Sequence, residues 1–498
     1  MNPMRSVLFV LLSVLALSGL AQTSKSKAAE RLDQFVMAFN SKDRAKIASM
    51  VDSLLAKGML ERRKKEDWIE QTVMIAEDLA PITVQETLLD KGNRVVVAIK
   101  NKGGARLGLA ITVEDKEPFG IAGIQIEAEP ENLIGPPKKP YYEYSSLQDL
   151  AEKIRTDTKS PAIAISVWRD GKFETLVSGV RKVGVSDPAM IGDRWLIGSI
   201  TKSMTATLIG TMIQEGKLSW DSKLGDLLKG IPMNDAYKGV TIEQILRHRS
   251  GLPQDMNFTG SMVQRIAGAL TDPEKVRASY AKDILGRQPI AKPDAKFAYS
   301  NAGYALLGHI AERILGKPYE QLMSERVFGP IGMKSAICGM PGAEGMPSGK
   351  GQPSGHFLLK EGPRPGKLGG AITYMCAPAG GGVAMSIEDL ARYAAWHMRG
   401  FNGENVGALK TEIIRRLHTP PSGHPGQEPY AAGWMIEGKD PKTTEHTHNG
   451  SDGTFTAEMS FWPEAKLVVV AIVNMGGEAE PSPGRQVVNS VYRKLFGG

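Results

Sequence analysis

The stretch Trp195-Leu-Ile-Gly-Ser-Ile-Thr-Lys-Ser-Met-Thr-Ala206 decides how this chain is read. A turn at Gly198 runs straight into a helical pattern whose apolar stripe is Leu208, Ile209, Met212 and Ile213. Positions three apart share a helix face, so the Ser199 hydroxyl and the Lys202 amine are expected to meet. Ser199 is also expected at the helix N-terminus, where unpaired N–H groups favour negative charge. This is the arrangement that a serine nucleophile and its base require. Taken alone the pattern is weak, because a chain of this length holds roughly two S-x-x-K runs by chance. Ser24 to Lys27 is a second one, in a polar stretch without a turn or helix pattern. On the motif alone, Ser199 reads as a helix N-cap with an exposed lysine one turn on.

Length and composition set the frame. The 498 residues allow two or three domains, and 42% hydrophobic with 23% charged residues is an ordinary globular balance. The formal charge of +7 is mild and dispersed, with Arg62-Arg63-Lys64-Lys65 as the one compact cluster. Four charges without interleaved aromatics read as a solvated helix face, so nucleic acid is not an expected partner. Arg5, the apolar run Val7 to Leu17 and the small residues Gly19 and Ala21 read as a cleavable signal over residues 1–21, with maturation at Gln22. That run is too short to span a bilayer comfortably, and Leu467 to Val473 is only strand length. The expected mature protein is therefore secreted or periplasmic and not an integral membrane protein. Cys338 and Cys376 could pair there, but two thiols do not make a disulfide framework.

Outward from Ser199 the chain falls into blocks. In residues 28–128, Leu32, Phe35, Val36 and Phe39 mark an amphipathic helix, followed by a short helix and then Trp68 to Leu79. Beyond Pro81 the period changes, and Val95 to Ile99, Leu107 to Val113 and Ile121 to Ile126 read as strands. This small α+β order resembles the cystatin or NTF2-like modules, which bind ligands or mediate association. Residues 129–144, with Pro130, Pro136, Pro137 and Pro140, read as a linker. From 145 to 498 come a helix at Leu147 to Asp157, a hairpin of Ala162 to Trp168 with Phe173 to Val180, and a helix-patterned middle from about 206 to 377. Strands Ala432 to Ile436, Thr454 to Trp462 and Leu467 to Val473 and a helix from Gly484 to Leu495 close the chain. Strands at both ends of this block predict one sheet carrying an inserted helical region.

Two further motifs lie downstream. Tyr299 and Asn301 stand in Phe297-Ala-Tyr-Ser-Asn-Ala-Gly-Tyr304, and His448 and Gly450 in His446-Thr-His-Asn-Gly-Ser-Asp-Gly-Thr-Phe455. In order these are S-x-x-K, Y-x-N and H-x-G. With them the sequence resembles the serine β-lactamase and penicillin-binding-protein superfamily, closest to its class C β-lactamase-related branch, over roughly residues 147 to 497. The phrases Leu246-Arg-His-Arg-Ser-Gly-Leu-Pro253, Val327-Phe-Gly-Pro-Ile-Gly-Met333, Pro378-Ala-Gly-Gly-Gly382, Ser386-Ile-Glu-Asp-Leu390 and Tyr430-Ala-Ala-Gly-Trp434 strengthen it. The resemblance implies a mixed α+β or α/β fold of β-lactamase type, an antiparallel sheet flanked by helices.

It also implies roles. Ser199 would attack a carbonyl and become acylated, with Lys202 as base or proton carrier and Tyr299 sharing that proton. Lysine and tyrosine both titrate near 10, so which of the two is the base stays open and the pair acts as a coupled unit. Asn301 would hold the substrate's acyl side, and the backbone N–H groups of Ser199 and Ser451 would form an oxyanion hole reached across Gly450. Antibiotic-hydrolysing members generally carry Lys and a hydroxyl residue where this chain has His448 and Asn449, so carboxylate affinity is expected to be weak. An esterase, amidase or D-amino-acid peptidase acting on a small molecule or peptide is thus favoured. A β-lactamase or cell-wall DD-peptidase acting on cell-wall fragments, and a non-catalytic binding protein, are the alternatives. His446 and His448 alone make no metal site, His248 reads as a structural loop histidine, and Gly380-Gly-Gly382 reads as a tight turn beside the site. No cofactor or metal is expected.

Overall fold

The computed structural model describes residues 25–497 apart from 63–64, 128–129, 131–139, 254–271, 340–344, 360–361, 367–376, 422–428, 439 and 478–480. The signal-like segment 1–21, Cys376, most of the proline-rich linker and part of the Arg62–Lys65 cluster lie outside these residues. The chain divides into two compact units, Met1–Pro137 and Lys138–Gly498.

In the first unit, helices α1 (Lys27–Ser41), α2 (Arg44–Leu54), α3 (Lys57–Arg62) and α4 (Lys65–Leu79) precede the strands. Ser26 starts α1 by accepting the Ala29 amide proton at 3.1 Å, and Leu32, Phe35 and Phe39 form its buried face. Strands β1 (Thr83–Lys91), β2 (Arg94–Lys100), β3 (Arg106–Val113) and β4 (Ile121–Glu127) make an antiparallel sheet in that order. Periodicity picks out β2 to β4 but not β1. Its first five residues, Thr83 to Thr87, are all exposed, and two bulges break its register with β2, so no alternation is written into it.

The second unit opens with α5 (Leu147–Thr158) and the hairpin of β5 (Ala162–Arg169) and β6 (Lys172–Gly179). Then come β7 (Trp195–Leu196), α6 (Thr201–Gln214) and three short helices, α7 (Leu224–Leu227), α8 (Asp235–Lys238) and α9 (Ile242–Leu246). They are followed by α10 (Pro273–Gly286), α11 (Asn301–Leu315) and α12 (Tyr319–Met323). Strands β8 (Ile337–Cys338), β9 (Gly355–Leu359), β10 (Gly362–Gly366) and β11 (Val383–Met385) lead to α13 (Ile387–Phe401) and α14 (Thr411–Leu417). The chain ends with β12 (Met435–Glu437), β13 (Glu445–Ser451), β14 (Thr456–Trp462), β15 (Leu467–Val473) and α15 (Pro483–Phe496).

Among the described residues the main sheet runs β12-β13-β14-β15-β5-β6, every neighbour antiparallel, with the helical region inserted between β6 and β12. β15 lies within this sheet and is apolar on both faces. Leu467, Val469, Ala471 and Val473 pack with α5 and α15, while Val468, Val470 and Ile472 join the larger core that includes α6 and α13. Helices on both faces thus cover a sheet whose inner strands β14 and β15 are buried along their whole length, the pattern of a doubly covered layer.

Two local expectations change. From Thr201 to Met212, α6 is buried on every side, so the stripe Leu208, Ile209, Met212, Ile213 is too narrow a description. Its hydroxyls are satisfied inward: Ser203 donates to Ile200 O (2.8 Å) and Thr205 to Pro378 O (2.6 Å). β12 starts at Met435 rather than Ala432, because Ala431 to Trp434 closes as a turn with Gly433 at φ 77°. β13 forms over Glu445–Ser451, a run to which the sequence reading assigns no element.

Inside the helical region, Arg277 of α10 is fully buried and joins three helices. Its guanidinium donates to Glu312 of α11 (2.9 Å) and Glu320 of α12 (2.9 Å). Breaking such a group strands a buried charge. Arg277→Met is expected to cost roughly 3–5 kcal/mol in urea unfolding followed by circular dichroism. Arg277→Met combined with Glu312→Leu is expected to recover much of that loss.

Candidate active site

Ser199 lies in a 3-10 turn, Gly198–Ile200, that feeds directly into α6. Gly198 takes φ 51°, and a Cβ there would stand 2.3 Å from Ser451 N and 2.8 Å from Gly450 C. Across the contact, a Cβ on Gly450 would stand 2.0 Å from Ile197 O and 2.8 Å from Ser199 N. Two backbones therefore touch without side chains between them, and only glycine permits it. β12 pairs with β13 only over Glu445 to Thr447, so the edge of β13 from His448 to Ser451 is left open, and the Ser199 turn packs there. The backbone nitrogens of Ser199 and Ser451 are thereby brought side by side. The Ser451 hydroxyl donates to Phe455 O (2.8 Å), and Asp452 accepts the amide protons of Thr454 (2.9 Å) and Phe455 (2.7 Å). Both side chains are thus spent on the turn to β14.

One helical turn after Ser199, the wholly buried Lys202 donates to Ser199 Oγ at 3.0 Å and to Ala379 O at 2.5 Å. Ala379 belongs to the 3-10 turn Ala377–Ala379, and a Cβ on the next residue, Gly380, would lie 2.9 Å from Ser199 N. The glycine-rich turn does border the site. Tyr299 lies just before α11, with its ring 4.7 Å from the Lys202 ammonium and its hydroxyl close enough to Ser199 to feel its dipole. Burial raises the Tyr299 pKa above the ordinary phenol value, and the nearby Ser199 hydroxyl opposes the rise. Asn301 is the first residue of α11. It is half-buried and makes no side-chain hydrogen bond to another described residue, while Ser300 takes the capping duty by accepting from Gly303 N at 2.9 Å. Ser199, Lys202 and Tyr299 thus converge, with the Gly450–Ser451 backbone beside them. A hydroxyl so placed can lose its proton to either neighbour as it attacks.

His448 is buried, and its pKa is lowered to about 3, first by burial and then by repulsion from Lys202. Its Nδ1–H donates to Asn449 O (2.5 Å), which leaves Nε2 to accept from the Tyr430 hydroxyl (3.1 Å). His446 turns to different partners. Its Nδ1 meets His418 Nδ1 at 2.9 Å, His418 Nε2 meets His397 Nδ1 at 3.0 Å, and His397 Nε2 meets Thr207 Oγ1 and Tyr393 OH, each at 3.0 Å. The three imidazoles are buried among Trp434, Phe461, Phe401 and Trp396 in a line rather than around a point. Among the described residues no group of three or more His, Cys, Asp or Glu side chains is arranged to hold a metal ion. Cys338 is free.

Two residues at the site escape motif reading. Tyr430 packs against His248, Tyr299 and His448, with ring centroids 4.7, 6.1 and 5.7 Å away. Its only signal is the phrase Tyr430-Ala-Ala-Gly-Trp434. His248, from the Leu246 to Pro253 phrase, stacks on Tyr299 at 4.3 Å.

A family model described as Beta-lactamase matches residues 147–490. Penicillin-binding protein 4 of Amycolatopsis lactamdurans is 24% identical over 371 residues, covering 72% of this chain and 90% of that protein. The octameric penicillin-binding protein homologue from Pyrococcus abyssi superposes with a TM-score of 0.57 at 27% identity, over 71% of this chain and 78% of that one. A D-stereospecific amidohydrolase from Streptomyces sp. shares the fold at 18% identity, with a TM-score of 0.54 over 71% of this chain and 100% of that one.

Gly450→Ala must push β13 off the Ser199 turn. It is expected to slow acylation of Ser199 by a serine-directed fluorophosphonate by about 100-fold or more, followed by intact-protein mass spectrometry. A second expectation concerns pH. His397, His446 and His448 are held near 3, and His248 and His418 well below their ordinary value, all chiefly by burial. Unfolded histidine titrates near 6.5, so the unfolded chain binds these protons first. Their contribution is complete above pH 6.5 and falls away toward pH 3, at up to about 1.4 kcal/mol per pH unit for each. Glu458, raised to about 7 chiefly by burial, and Glu437 and Asp452, also raised chiefly by burial, act in the opposite sense but are fewer than these histidines. The thermal midpoint should therefore drop steeply between pH 6.5 and 4, as measured by calorimetry.

Proposed function

This chain belongs to the Beta-lactamase family, and from that premise we propose that it is a secreted serine hydrolase. It would act through an acyl-enzyme on an ester or amide, of the esterase or D-amino-acid peptidase kind. His448 carries the reading. At the position where antibiotic-hydrolysing relatives hold a cation, its ring is neutral and both nitrogens already have partners. It has no proton left to offer a substrate carboxylate. Substrates whose leaving side is uncharged fit this edge best. The class C-related branch of the family is the one whose H-x-G members suit this reading.

Ser199 Oγ attacks the carbonyl carbon, and its proton passes to the Lys202–Tyr299 pair. The developing oxyanion is held by the amides of Ser199 and Ser451. Tyr299 hands the proton to the departing alcohol or amine, which leaves Ser199 acylated. Water then attacks the acyl carbon and loses its proton to the same pair. Asn301, with its amide uncommitted to described neighbours, supports the acyl side. The N-terminal Arg5, the apolar run to Leu17 and Ala21 support export, and the helix-then-sheet order of the first unit supports a cystatin or NTF2-like module for ligand binding or association.

The purified protein is expected to be labelled at Ser199 by a fluorophosphonate, and Ser199→Ala to abolish labelling and lower kcat roughly 10⁴-fold or more. Against p-nitrophenyl esters and D-amino-acid amides, kcat/KM should exceed that for matched carboxylate-bearing substrates by at least about tenfold. Labelling that survives Ser199→Ala, or nitrocefin turned over as fast as the best ester, would overturn the reading.

A further inference from the structure

His248 binds the backbone on both sides of Tyr299. Its carbonyl accepts the amide proton of Ala298 at 2.8 Å, and its Nδ1 accepts that of Ser300 at 3.0 Å. Between these bonds its ring lies on the Tyr299 ring, centroids 4.3 Å apart at 39°. The ring is enclosed by Tyr430 at 4.7 Å, Tyr304 at 5.1 Å and the edge of Phe297 at 5.8 Å. The residue is 1% exposed and stands at φ 56°, a left-handed conformation uncommon for a side chain of this size. With Nδ1 accepting, the neutral ring carries its proton on Nε2, and among the described residues that buried atom has no hydrogen-bond partner. A phenylalanine would fill the same space without burying an unpartnered donor. What it lacks is an acceptor for Ser300 N–H. The strained backbone and an N–H without a partner among the described residues are thus tolerated at a position that grips Tyr299 from three directions.

Building on the serine-hydrolase reading, we propose that His248 is the positioning residue of Tyr299. It fixes the angle at which the phenol meets Ser199 and takes no part in proton transfer itself. Two neighbouring features follow. The imidazole must act as an acceptor at Nδ1, so a cationic ring would break the clamp as well as crowd Lys202. And the acceptor matters more than the ring's aromatic face, because the backbone on either side of Tyr299 sets where the hydroxyl lies.

Two variants of the full mature protein separate these contributions. His248→Phe keeps a ring and loses the acceptor. His248→Asn loses the ring, places Oδ1 near the position of Nδ1, and suits the left-handed backbone. We expect His248→Phe to lower kcat on a p-nitrophenyl ester by about 100-fold with KM within about threefold of wild type. His248→Asn should restore kcat to within about tenfold. Crystal structures should show the Tyr299 hydroxyl displaced from Ser199 in the first variant and in place in the second. If His248→Phe does not fold, His248→Ala replaces it. A kcat unchanged in the variant lacking the acceptor, an equal loss in both variants, or a Tyr299 hydroxyl that stays on Ser199 in the acceptor-free crystal overturns the assignment. A wild-type protein that neither labels nor turns over counts against the serine-hydrolase reading alone, and the crystallographic comparison still decides the role of His248.

Discussion

One contact holds the site together: the backbone of Gly198 against the backbone of Gly450. The two residues are far apart in sequence, one entering the inserted helical region and the other closing the main sheet. Where they meet, Ser199 N and Ser451 N are neighbours, and the open edge of β13 is occupied by the nucleophile turn instead of another strand. Gly380 and Gly433 repeat the device, with Cβ positions that would fall 2.9 Å from Ser199 N and 2.5 Å from the Ser203 Cα. Three chain segments therefore close on the start of α6 at backbone distance, and a methyl group on the glycine of any of them must move one segment away.

That tight closure also determines the electrostatics. Lys202 lies wholly inside, contacting a backbone carbonyl, a hydroxyl and two aromatic faces. The imidazoles around it are driven to their neutral forms first by burial and then by repulsion from the Lys202 cation. The neutrality of His448 is therefore a consequence of packing. It follows from the burial of β13 and the presence of Lys202, and Tyr430 and Asn449 O then fix which nitrogen carries the proton.

Much of this was legible in the residue order. β15 is unbroken Leu-Val-Val-Val-Ala-Ile-Val and its strand runs over those same residues. The hairpin of β5 and β6 is marked by Asp170-Gly171, and Ser199 and Lys202 meet as their spacing of three requires. What stayed hidden depends on tertiary partners. β13 carries histidine, threonine and asparagine because its edge lies at the site, and polar residues do not advertise a strand. β1 is exposed and bulged, so its pairing with β2 leaves no alternation to read. Tyr430 and His248 sit in turns of ordinary composition, and their importance lies in which rings they face. The all-round burial of α6 is equally silent, because its serines and threonines look like a solvent face until their inward acceptors are known.

The line of His446, His418 and His397 has a direction. Each neutral ring owns one N–H, and each junction between rings needs one donor and one acceptor. Thr207 gives its own proton to Ser203 O at 2.9 Å and can only accept from what lies behind it. If His397 supplies that proton through Nε2, His418 must donate through Nε2 and His446 through Nδ1. If instead the Tyr393 hydroxyl donates to His397 Nε2, every ring can carry its proton on the other nitrogen. The core thus has two orderings of the same hydrogens, and all three rings change together or not at all. In the language of magnetism it is a short chain of coupled spins, buried in a protein interior beside α6.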